Sequence, residues 1–264
     1  MTQIITDAEL VSQYAQKAME EPEKTIITRA PSESTVQLPA GYIMPNGDLV
    51  KTAEVKELNG ADEEAISKAG STSKSLNILL QRGLVKIGDK DVTKDDLDAL
   101  LAGDRDAILL GIRKVTFGKD IPLKVRCSSC SEEQSTEIDL ETDIPVKVLD
   151  DPIGDRVWEI TTKKGVIKLA LPNGITQKKL MDNLDKTSPE VNTMLLAGCI
   201  LSVNNAPSIG AQTALSLGMA DRTKIIDEIL ERNPGPRLGE VKKVCRACGE
   251  LIYLPLSLLD LFRL

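Results

Sequence analysis

The chain has 264 residues, a formal net charge of −7, and one Trp, three Tyr and two Phe. That length can bury a sizeable core as one large domain or two small ones. The acidic total and scarce aromatics argue against a general nucleic-acid surface, an anionic-membrane surface or a base-stacking platform. Histidine is absent, which removes Ser-His-Asp and Cys-His chemistry, His-ligated metals and the usual general base near neutral pH.

Residues 7–20 read as a helix with Thr6 or Asp7 as N-cap and Leu10, Val11, Tyr14 and Ala18 on one face. The polar, Pro-containing stretch 21–34 then reads as a linker, so the helix is expected as an arm outside the body, or alternatively folded back on its own core. Asn46-Gly47 between two strand-like runs predicts a hairpin, with alternation continuing through residues 53–58. A helix is expected to start near Asp62, another to span 73–81, and a strand to follow at 84–88. Thr93 reads as the cap of a helix faced by Leu97, Leu100 and Leu101. Asp104 reads as the cap of the next, faced by Ile108, Leu109 and Ile112.

Beyond Pro145 the pattern predicts strands at 146–149, 156–162 and 166–171, with Lys163-Lys-Gly165 as a hairpin turn. Thr176 is expected to cap a helix of about ten residues. Ser188 with Pro189 after it starts the most apolar helix, expected to run to Val203. A short helix at 212–217, a longer one at 221–232 and a closing helical turn or two at 257–264 complete the chain. The last eight residues place Leu258, Leu259, Leu261, Phe262 and Leu264 together. So many apolar groups must be covered, either by this chain's own core or by a neighbouring subunit.

Four of the five cysteines form two knuckles, Cys127-x-x-Cys130 and Cys245-x-x-Cys248. Each has a basic strand before it and a strand-like run after it, the outline of half a zinc ribbon. Two halves supply four thiolates, the donor set of a structural Zn²⁺ site. The other readings are a metal held by each knuckle with another subunit, disulfides, or free thiols. Cys199, within an apolar run, reads as a buried small hydrophobe. The two halves of the chain also echo one another. Asp104-Arg105 is followed by Ile108 and Ile112, and Asp221-Arg222 by Ile225 and Ile229. Leu38-Pro-Ala-Gly41 and Leu171-Pro-Asn-Gly174 add a second echo. The expected fold is α+β: two quasi-repeated lobes of short hairpins and helices joined by a zinc-ribbon-like site of four cysteines. The expected boundaries are an arm and linker at 1–34, a first lobe at 35–142 and a second at 143–264.

The order of these motifs resembles a phage family. The motifs are Leu38-Pro39 with Gly41, Asn59-Gly60 before Asp62, Gly103-Asp104-Arg105-Asp106 leading to Gly111-Ile112-Arg113, then Cys127 to Leu140. The family is the baseplate hub assembly chaperones, or baseplate proteins, of T-even-type tailed phages. The resemblance is best over 35–142 and thin beyond about residue 150. It implies a non-enzymatic structural or assembly component of a contractile tail, in the hub region of the baseplate. Its expected partners are other baseplate and tail proteins, with several copies per particle and no nucleic acid or membrane. Its expected location is the virion, or the host cytoplasm during assembly. No apolar run is long enough to span a bilayer and the first residues do not read as a signal peptide, so a soluble protein of a reducing cytoplasm is expected. Two other functions stay open: a zinc-ribbon adaptor for nucleic acid, supported by Lys124, Arg126, Lys242, Lys243 and Arg246, and a thiol oxidoreductase using one Cys-x-x-Cys.

Overall fold

The computed structural model describes residues 34–262; the expected helix at 7–20, its linker up to residue 33, and Leu264 lie outside the described residues. The fold is α+β. The first half runs β1 (Thr35–Ile43), β2 (Leu49–Val55), α1 (Gly60–Ser67), α2 (Thr72–Gly83), β3 (Leu84–Ile87), β4 (Lys90–Asp91), α3 (Lys94–Ala99), α4 (Ala102–Phe117), β5 (Asp120–Arg126) and β6 (Glu133–Asp139). A short β7 (Val146–Lys147) leads into the second half. There follow β8 (Val157–Thr162), β9 (Gly165–Ala170), α5 (Gly174–Met181), α6 (Ser188–Cys199), β10 (Ile200–Val203), β11 (Ala206–Pro207), α7 (Ala211–Ser216) and α8 (Met219–Arg232). Then come β12 (Gly235–Pro236), β13 (Lys242–Val244), β14 (Leu251–Tyr253) and α9 (Leu258–Phe262).

The element order recurs. Each half builds a four-stranded antiparallel sheet, β1-β2-β3-β4 in the first and β8-β9-β10-β11 in the second. The paired helices α1 and α5 both have 8 residues, α2 and α6 both have 12, and α3 and α7 both have 6. Local chemistry recurs with them. Asn59 and Asn173 are both N-caps, each side chain accepting a backbone N–H from the first turn. In both halves a helix passes straight into a strand, at Gly83-Leu84 and at Cys199-Ile200.

The second junction corrects the expected helix to Val203. Ile200 and Val203 are β-branched and pair with β9. Asn204 and Asn205, at φ 48° and 66°, make the left-handed turn of a two-residue hairpin into β11. Other starts shift as well. Asn173 rather than Thr176 caps α5, Thr187 rather than Ser188 caps α6, and α4 starts at Ala102, which puts Asp104 inside its first turn. The Leu-Pro echo also falls on unlike places: Leu38–Gly41 lies within β1, whereas Leu171–Gly174 leads from β9 into α5.

The larger core packs α2, α4 and the first sheet around Leu79, Leu80, Ile87, Ile108 and Ile112. The second gathers Ile167, Leu169, Leu196, Cys199, Ile225 and Ile229. A small third cluster, Ala40, Leu101, Leu149 and Leu171, joins the halves. The tail returns to the first core, where Leu258 and Leu261 are buried and the Arg113 Nε donates to the Leu261 carbonyl at 2.8 Å. Deleting 257–264 removes two buried leucines at ~1.5–3 kcal/mol each, so the melting temperature should drop by on the order of 10 °C. Unchanged calorimetric melting of the truncated chain would show that the tail serves another purpose.

Asp104 and Asp221 hold corresponding places. Asp104 accepts the Ala40 N–H of β1 at 2.8 Å, and Asp221 accepts the Lys163 N–H of the β8–β9 turn at 3.4 Å. Asp104 is fully buried and its Oδ2 has no hydrogen-bond partner. Burial raises its pKa to about 6, against the pull of the Ala40 N–H and the Arg156 guanidinium. The folded chain therefore binds a proton between pH ~4 and ~6 that the unfolded chain releases, so this contribution falls as pH rises through that window. Asp104→Asn should flatten that part of a melting-temperature profile while keeping an acceptor for Ala40. An unaltered profile would mean that Asp104 is already ionised in the folded chain at pH 4.

Candidate metal centre

Each Cys-x-x-Cys is the tip of a two-stranded hairpin, β5–β6 for the first and β13–β14 for the second. The turns are built alike. The Cys127 N–H donates to the Glu132 carbonyl at 2.9 Å, and the Cys245 N–H to the Glu250 carbonyl at 2.8 Å. Ser131 and Gly249 each donate back to the first cysteine's carbonyl at 2.9 Å. Both take left-handed φ, 62° and 77°. Glycine does so freely, whereas serine accepts strain to close the same turn.

The hairpins converge because the second is rooted in the first half's core. Val241, at the foot of β13, is buried there and accepts the Leu254 N–H at 2.8 Å. A 2.9 Å bond from the Arg246 N–H to Gln134 Oε1 ties one hairpin to the other, and Lys243 pairs with Asp143 in the turn after β6. Cys127, Cys245 and Ile252 are buried together, with Val125 and Leu254 packed against them.

The result is one cluster. The sulfurs of Cys127, Cys130, Cys245 and Cys248 all lie within 4.8 Å of one another. The Cys127–Cys248 and Cys130–Cys245 separations are both 3.7 Å. Four sulfurs ~2.3 Å from a common centre in a tetrahedron stand ~3.8 Å apart, so the donor set and spacing fit a Zn²⁺ ion. All five cysteines are free thiols, not disulfides. Backbone N–H groups of Cys130 and Ser129 stabilise the Cys127 thiolate and bring its pKa down to about 6. Cys248 gains a similar bond from Glu250, but burial and the three neighbouring sulfurs push it up to about 12. A divalent cation would relieve that crowding. Cys199 is remote, fully buried in the second core and raised to about 12 by burial, so it is an inert packing group.

Lys243 and Arg126 spend their charge on Asp143 and Glu133, which weakens the basic approach that the nucleic-acid reading rested on. The knuckle residues were legible from spacing alone. Gln134, Asp143 and Val241, which align the hairpins, carry no motif; only the completed fold reveals them.

No curated protein and no solved structure matches the chain. The family described as T4 bacteriophage base plate protein matches residues 49–262. The match runs through the second half, well past residue 150, where the resemblance was thin, and takes in both knuckles. No helix among the described residues is long and apolar enough to cross a membrane. With four-fifths of its length matched, the chain belongs to the T4 bacteriophage base plate protein family and is a structural baseplate component of a tailed phage.

Proposed function

We propose that this chain is a non-enzymatic, zinc-stapled subunit that acts in the hub region of the baseplate during or after its assembly. One observation carries the zinc reading: two separately encoded knuckles, 115 residues apart from Cys130 to Cys245, bring four thiols to one tetrahedral spacing. Cys127, Cys130, Cys245 and Cys248 would hold the ion, with every coordination position taken by sulfur. A site closed in this way supplies cross-linking and no open position for a substrate. Its free energy of binding becomes folding free energy that docks the second hairpin on the first. The chain has no histidine, and its remaining cysteine is buried, which also supports a structural role.

The recurring element order supports a duplicated body with a first lobe at 35–142 and a second at 143–264. In this reading the partners are other baseplate and tail proteins, several copies are used per particle, and the site of action is the virion or the host cytoplasm where tails assemble. Metal analysis of the purified chain should give about one Zn²⁺ per chain. No tightly held metal, or metal retained equally by a variant with all four cysteines replaced by serine, rejects the zinc reading. Immunoblotting of purified virions and of assembly intermediates then separates a resident subunit from a helper that leaves.

A further inference from the structure

The two halves of the chain meet head to tail, and among the described residues the surfaces that would continue this contact are both open. Within the chain, the α3–α4 corner of the first half sits against residues 172–177 and Pro234 of the second. Ala102 N–H donates to the Pro172 carbonyl at 2.8 Å, and Gly174 N–H to the Leu100 carbonyl at 2.9 Å. The Arg105 Nε donates to Gln177 Oε1 at 2.6 Å, and Lys178 pairs with Asp98 at 2.6 Å. The fit is close: a Cβ on Gly174 would stand 2.4 Å from the Leu97 carbonyl oxygen, and one on Gly103 1.7 Å from that of Pro234.

The recurring element order assigns counterparts, counted from helix starts and from Asp104 and Asp221. The α3–α4 corner corresponds to the α7–α8 corner, residues 172–177 to residues 58–63, and Pro234 to Phe117. The α7–α8 corner presents Leu215 and Met219, 68% and 87% exposed. Arg222 repeats two of the bonds of Arg105, to the carbonyl of Ala214 and to a side chain of the preceding long helix, Thr193. The third, from Nε, has no partner among the described residues. At the other end, Asn59, Gly60 and Glu63 are exposed, and a Cβ on Gly60 would meet nothing within 4 Å. These residues border an open groove whose far wall is Phe117, 61% exposed.

We propose that a second copy of this chain fills that groove with its α7–α8 corner. Arg222 then faces Glu63 where Arg105 faces Gln177, a carboxylate acceptor in place of a neutral amide. Met219 and Leu215 lie against Phe117. Ala220 stands where Gly103 does, so the contact between copies is wider than the internal one, and the bulk of Met219 and Phe117 fills the difference. Because two unlike surfaces join, the association is heterologous and builds a ring or a chain of copies. The correspondence rests on the element order and not on the metal.

The test uses the full chain with its metal, in mixtures of unlabelled and ¹⁵N-labelled protein. Sedimentation should show mass rising with concentration. A benzophenone side chain at position 215 should cross-link to residues 58–67 or 116–118 of a differently labelled copy. Met219→Glu and Glu63→Arg, both at exposed positions, should keep the wild-type melting temperature and weaken association at least about tenfold. A monomer across the whole concentration range, variants that associate like wild type, or cross-links confined to single chains or to other surfaces would each overturn the proposal.

Discussion

With the proposed metal staple in place, replacing Cys245 with serine should lower the melting temperature by on the order of 10 °C, and a strong chelator should bring the wild-type protein down towards the same value. The second hairpin has little stability of its own. The strands β13 and β14 pair over three residues each, and a two-stranded hairpin of that size is marginal by itself. Its apolar support is Ile252 and Leu254 beside the cysteines and Val241 below. Serine keeps the size of the side chain but provides no thiolate, so the proposed site keeps three ligands, with Cys248 as the second hairpin's single link to Cys127 and Cys130, and the cross-link is weakened. Hydrogen exchange should therefore speed up first at residues 242–253 and in the facing β5–β6 hairpin, before the second core opens. The variant should respond to chelator far less than the wild type. Cys199→Ser, at a buried position outside the cluster, is the control: it should melt earlier from the cost of a buried hydroxyl yet keep its full chelator response. A Cys245→Ser protein that melts within about 2 °C of wild type would falsify the staple, given that each kcal/mol moves a chain of this size by about that much.

The knuckles were legible because their chemistry is local: a spacing, a turn, and the flanking alternation. The order of helices and hairpins was legible for the same reason, since caps such as Thr93 and turns such as Asn46-Gly47 act over a few residues. The helix-to-strand switch at Ile200 was not. An apolar run from Met194 to Leu201 suits a buried helix and a buried strand alike, and only pairing with β9 decides between them. The echo of Asp-Arg at 104–105 and 221–222 was visible, but a helix cap was the nearest local explanation. The structure gives the aspartates a tertiary job, gripping the hairpin of their own half, and gives the arginines another. Neither could be read without knowing which backbone N–H groups and carbonyls the fold brings near. The anchoring of β13 and α9 in the first core is of the same kind: Val241, Leu258 and Leu261 are apolar residues like many others until their partners are known.

Arg105→Ala should cost about 3–5 kcal/mol, the range for stripping one partner from a buried charged network, and lower the melting temperature by roughly 10 °C. Arg105 is buried, and its guanidinium serves three places at once. Nη1 donates to the Leu97 carbonyl at 2.5 Å, Nη2 to Asn77 Oδ1 at 2.8 Å, and Nε to Gln177 Oε1 at 2.6 Å. Gln177 in turn donates to Asp106 at 2.6 Å. One side chain thus binds α2, the C-terminal half of α3 and, through α5, the other half of the chain. Truncation leaves buried acceptors without donors, and burial already pushes the Asp106 carboxyl up to about 7, so losing the neighbouring cation raises it further. Lysine should not rescue, because one ammonium on a flexible stem cannot reach three acceptors set for a planar fork. Arg222→Ala removes the corresponding clamp within the second half, where the guanidinium is half-exposed and makes no bond to the first half. That change should cost only about 1–2 kcal/mol. Arg105→Ala combined with Gln177→Ala should fall short of the sum of the single changes, as members of one network do. If chemical denaturation instead gave equal costs for Arg105→Ala and Arg222→Ala, with Gln177→Ala adding in full, the arginine would be a local helix clamp in both halves and not the tie between them.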